Sequence, residues 1–99
     1  MATIRIALQD GFEDETVVIS VNGKEVFNQK NVKTKRQIGK AASFDVEVEA
    51  GSSTVEISLP SKSLSESITL KVSGKAYLGV SVVNNRIVHR ISSEPFHYA

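Results

Sequence analysis

Cysteine and tryptophan are absent from this 99-residue chain, and aromatic residues make up only 6% of it. Without cysteine there is no disulfide scaffold, no thiolate zinc site and no cysteine nucleophile. Long apolar runs are also missing, so no segment reads as a membrane-spanning helix. Charge of one sign is missing as well: 12 Lys plus Arg stand against 11 Asp plus Glu. A net charge of +1 gives no molecule-wide field to steer the chain toward nucleic acid or an anionic membrane. Catalytic signatures are absent in turn. There is no Gly-x-Ser-x-Gly elbow, no His-Glu-x-x-His, and no glycine-rich phosphate loop. The chain is expected not to be an enzyme and to need no cofactor.

What is present is a period of two. Ile4, Ile6 and Leu8 alternate with Thr3, Arg5 and Ala7, and Phe44, Val46 and Val48 alternate with Asp45, Glu47 and Glu49. Val55, Ile57 and Leu59 do the same, as do Ile68, Leu70 and Val72, and then Leu78, Val80 and Val82. A strand throws successive side chains to opposite faces, so each segment has one buried and one wet face. Asn22-Gly23 and Asn84-Asn85 separate such segments, and both suit a two-residue hairpin turn that needs positive φ twice. About eight strands follow, near 2–8, 16–21, 24–28, 43–50, 53–59, 67–73, 76–83 and 86–92. The longer links, 29–42 and 60–66, are where the chain is expected to cross between sheets.

With no helix to cover its apolar side, such a sheet must fold onto another or close on itself. The prediction is all-β: an antiparallel β-sandwich of 7–8 strands forming one domain over 1–99, with a small β-barrel as the alternative. In strand number, alternation and the Asn22-Gly23 hairpin, the chain resembles immunoglobulin-like sandwiches in the broad sense, and transthyretin-like ones. It lacks the cysteine pair and buried tryptophan of true immunoglobulin domains, so the resemblance implies a fold and carries over no site residue.

Hairpin registers place the unusual residues. A regular Asn22-Gly23 hairpin sets Ile19 opposite Val26 on the core face and Val18 opposite Phe27 on the outer face. An outer Val18–Phe27 pair would suit a partner or a second subunit, or be covered by the tail Glu94–Tyr98. The second hairpin puts His89 on the core-facing row opposite Val80, where it would be a rim histidine or a buried base. Tyr77 shares an outward row with Gly79 and Ser81, a shelf on which a sugar could stack.

Charge is segregated along the chain. Asp10, Glu13, Asp14 and Glu15 crowd one loop and could hold Ca²⁺, which takes several carboxylate and carbonyl oxygens. Lys30, Lys33, Lys35, Arg36 and Lys40 form a basic patch in the 29–42 link, with no aromatic interleaved, which disfavours nucleic acid.

These features give a non-catalytic binding or interaction module. The alternatives are an assembly domain that self-associates through an edge strand or the Val18–Phe27 face, and a carbohydrate- or calcium-binding module. The start MATIRIALQDG has no apolar core of the secretory kind. That reads as cytoplasmic if the chain is complete, and extracellular if it is an excised domain.

Overall fold

The computed structural model describes residues 2–35 and 40–94. Eight strands run in chain order: β1 Ala2–Leu8, β2 Glu13–Val21, β3 Lys24–Lys33, β4 Ala42–Val48, β5 Gly51–Leu59, β6 Leu64–Val72, β7 Lys75–Val83 and β8 Arg86–Ser92. They form two four-stranded sheets, β4-β1-β7-β8 and β3-β2-β5-β6, packed face to face. This is the β-sandwich, and the sheets do not close into a barrel. Every neighbouring pair is antiparallel except β1 with β7, which run parallel from Thr3 beside Lys75 to Leu8 beside Val80.

The alternating apolar rows become the core. Ile4, Ile6, Leu8, Ile19, Ile57, Leu59, Leu78 and Val80 are almost completely buried between the layers. Each such side chain contributes about 1.5–3 kcal/mol relative to an exposed position. Phe12, in the link from β1 to β2, plugs the same core.

The links depart from the sequence reading in an instructive way. The connection expected over 29–42 is half strand, because β3 continues to Lys33 along β2, with Val32 opposite Glu15 and Lys33 opposite Glu13. Its register against β2 shifts at three places, so inward residues do not fall at every second position and β3 loses the alternation by which a strand is recognised. The chain crosses between sheets through 34–41, as expected, but not at 60–63. There a single 3₁₀ turn, Pro60–Lys62, joins β5 to β6 within one sheet. Two very short links, 49–50 and 73–74, make crossings instead.

The turns behave as their residues require. Asn22 and Gly23 have φ of 51° and 83°, and Asn84 and Asn85 of 50° and 60°. The second hairpin keeps its simple register, with Val82 opposite Ile87 and Val80 opposite His89. The first does not. After Ser20 opposite Glu25, the next pair is Ile19 with Phe27, so Val26 is the extra residue of a β-bulge. That single insertion turns Phe27 from the outer face to the inner one.

On the outer face of the β4-β1-β7-β8 sheet, Arg5 Nε and Nη2 donate to the two carboxylate oxygens of Asp45 at 2.8 and 3.2 Å. The guanidinium hydrogen bond, opposed by partial desolvation and aided by the charge of Arg5 and then Lys75, holds the Asp45 carboxyl below its ordinary 3.8. A lowered carboxylate pKa stabilises the fold above the ordinary value, and that contribution disappears as pH falls through the lowered one. Asp45→Asn should therefore be slightly less stable than wild type near neutrality and indistinguishable from it at about pH 2, by urea denaturation. A gap that persists in acid would mean the carboxylate is not what matters there.

Candidate functional site

The two flanks of the sandwich are built differently. On one flank β6 and β8 lie against each other across the layers. On the other, the edge strands β3 and β4 are bridged by one aromatic contact: Phe27 and Phe44 stack with ring centroids 4.8 Å apart and planes 9° from parallel. Phe27 reaches this position because of the bulge at Val26, and Phe44 because it lies opposite Ile6 on the inner row of β4. Such a ring pair is worth about 0.5–1.5 kcal/mol beyond its buried area.

The margin of the core lies along this seam. The half-buried apolar residues packed against the core are Val26, Phe27, Ala41, Ala42, Phe44, Val46 and Leu64. All but Leu64 belong to β3, β4 or the end of the link before β4. Two hollows continue the line. The larger, about 790 Å³, has an apolar wall of Phe27, Val32, Ala41 and Ala42 and is lined besides by Lys30, Lys33 and Lys35. No carboxylate is among its described lining residues. The smaller, about 350 Å³, lies along Phe44, Val46 and Val48 and is lined also by Lys24, Asp45 and Glu47.

The sequence-predicted site residues divide accordingly. Phe27, Lys30, Lys33 and Lys35 come together in the larger hollow. Lys40 pairs through its backbone with Lys35 and places Nζ 3.5 Å from Ser43 Oγ. Arg36 lies outside the described residues, as do Pro95–Tyr98 of the tail expected to cover Val18 and Phe27.

The Val18–Phe27 pair does not exist. Val18 faces outward opposite Asn28 and Ser58, beside Ser20 and Glu56, while Phe27 faces inward opposite Ile19. The bulge is the reason, and it removes the supposed outer apolar patch.

His89 does stand opposite Val80, but it is exposed, as is Ile91 next on the same row of the edge strand β8. It is not a buried base. Tyr77 is half-buried on the outer face, with Lys75 Nζ 5.5 Å from its ring centroid; it is level with Arg5 and Asp45 but two strands from β4 and on the face opposite the Phe27–Phe44 stack.

The acidic residues do not gather either. Glu13, Asp14 and Glu15 begin β2 rather than sitting in a loop. Asp14 adopts φ 65° and accepts from Asn31 Nδ2 at 2.8 Å. Glu15 turns inward, buried, with its Oε2 2.9 Å from Lys62 Nζ; its hydrogen bond and charge hold the lysine above its ordinary value of 10.5. Among the described residues no three His, Cys, Asp or Glu side chains are placed to share a metal ion. The calcium site expected from Asp10, Glu13, Asp14 and Glu15 is not assembled, because alternation along a strand sends neighbouring carboxylates to opposite faces.

Sequence reasoning missed the partner of Phe27. Phe44 is 17 residues away in a different sheet, and no local spacing announces a stack across layers. Compared with known proteins, the chain matches no family model, no curated protein and no solved structure.

Proposed function

We propose that this protein is a non-catalytic interaction module, and that it engages a protein partner along the β3–β4 seam. The reading rests on one observation: nearly all of the half-buried apolar margin of the core converges there, around the Phe27–Phe44 stack and beside a lysine-lined hollow. Partly exposed aromatic and aliphatic side chains in a groove with a charged rim are the usual make-up of a recognition surface. The two-sheet sandwich supports the immunoglobulin-like description in its broad sense, as a rigid frame that presents edges and loops.

Self-association through the same flank is the weaker reading. A two-fold axis at the stacked rings would bring the lysines of β3 toward those of its copy, and like charges at a contact cost stability.

Selection from a random peptide library displayed on phage tests the proposal. Enriched peptides should lose binding to the double variant Lys30→Glu/Lys33→Glu and to Val46→Thr, both at exposed or half-exposed positions that leave the core intact. Peptides that bind these variants as well as wild type, or no enrichment at all, would overturn it.

A further inference from the structure

We infer that the seam takes its partner as an added β-strand on β4, running antiparallel to it, with a carboxylate-bearing C-terminal end in the lysine hollow. This rests on the interaction reading above and specifies the bound conformation, the chain direction and the terminal chemistry.

The four edge strands are not alike. Exposed edges invite pairing with other chains, and bulges, lysines and charged residues pointing inward are the common defences. β3 has three register irregularities along β2 and carries Lys24, Lys30 and Lys33. β6 places Glu66 on its inner row, opposite Ile57. β8 places His89 on its inner row and carries Arg86 and Arg90. Among the described edges only β4 has none of these. It pairs with β1 over all seven residues without a bulge, has no proline or lysine, and has an inner row of Ala42, Phe44, Val46 and Val48. Such an edge offers alternate backbone N–H and C=O groups to a further strand, and side chains of that strand at every second position would reach the two hollows.

Direction follows from charge. Ala42, at the start of β4, lines the hollow with Lys30, Lys33 and Lys35, whereas Val48, at its end, lies by the hollow with Lys24, Asp45 and Glu47. An antiparallel newcomer ends opposite Ala41, one residue beyond Ala42 and in the same hollow, so its C-terminal carboxylate meets three lysines. A parallel one would bring its ammonium there. Charge complementarity therefore selects the antiparallel strand and favours an acidic last residue. Opposite Glu47 the same strand would carry a cation or a hydroxyl, and opposite Phe44 and Val46 β-branched residues.

The probe is the peptide Val-Lys-Val-Thr-Val-Thr-Ile-Glu with a free carboxylate, compared with its C-terminal amide and with the reversed sequence. Binding to the intact protein is measured by titration calorimetry and by backbone amide shifts. The free acid should bind about fivefold more tightly than the amide, lose that advantage in high salt, and perturb the amides of β4 most. Lys33→Glu should abolish the difference between acid and amide. Equal affinity for acid and amide, with shifts still centred on β4, overturns the assigned direction and leaves the seam reading intact. Shifts centred on β8 or on an outer face overturn both. Failure of all three peptides to bind at millimolar concentration overturns strand addition to β4, while the library selection independently decides the seam.

Discussion

Ile57→Asp is expected to leave the chain unfolded at room temperature, while Glu56→Lys, one residue away, denatures at a midpoint close to that of wild type. Ile57 is 1% exposed, at the centre of β5 between Ile19 of β2 and the inner row of β6, whereas Glu56 is exposed on the outer face. The aspartate forfeits about 2–3 kcal/mol of apolar burial and adds several kcal/mol for an unpaired carboxylate between apolar layers. Against a total stability of roughly 5–15 kcal/mol for a domain of this kind, that sum is enough. Urea denaturation followed by circular dichroism reads both variants. Equal midpoints would mean that the two faces of β5 are not what the structure shows.

The second large effect is at Gly11, in the link that carries the chain from one sheet to the other. Its φ is +86°, and a Cβ there would sit 1.9 Å from the carbonyl oxygen of Val82. That backbone is not free to retreat, because Val82 N–H donates to Asp10 O at 2.9 Å and Val82 itself is buried in the core. Gly11→Ala must break this crossing or displace the end of β7, and a loss of more than about 2 kcal/mol is expected. Gly23→Ala is the control. Gly23 also has positive φ, +83°, but nothing lies within 4 Å of the added methyl, so its loss should stay near about 1 kcal/mol. Equal losses at the two glycines would show that backbone conformation alone, and not the approach of Val82, makes Gly11 necessary.

The two substitutions mark how far the sequence could be read. Rows such as Ile4-Ile6-Leu8 and Val55-Ile57-Leu59 declare themselves because one face of each strand is dry and the other wet, and from them the two layers follow. Asn-Gly and Asn-Asn turns were legible for the same kind of reason: few residues accept positive φ twice in succession. The bulge at Val26 was not, since a bulge and a regular hairpin share the same alternation up to the inserted residue. One missed insertion moved Phe27 to the other face and put a patch with Val18 where none exists. The exposure of His89 was hidden differently. Its register was right, but local sequence does not reveal that β8 ends a sheet. The basic run was visible as composition. Its conversion into the rim of an apolar hollow depends on Phe27, Ala41 and Ala42 arriving from two sheets, a long-range fact with no short-range signal. Glu15 teaches the same lesson in reverse, for a carboxylate expected at a solvated loop is buried against Lys62 of a turn 47 residues later.

The proposed binding edge requires Phe27 stacked on Phe44 and a β4 edge to which no strand of this chain is paired on its outer side. Nuclear magnetic resonance of the free protein tests this most directly, through contacts between the Phe27 and Phe44 rings and amide hydrogen exchange along the edges. The prediction is a ring-to-ring contact, together with alternate amides of β4 that exchange orders of magnitude faster than those of β1, its neighbour, and of β7 beyond it. Uniform slow exchange along β4 with no contact between the two rings would contradict it, and the proposed binding edge would fall with it.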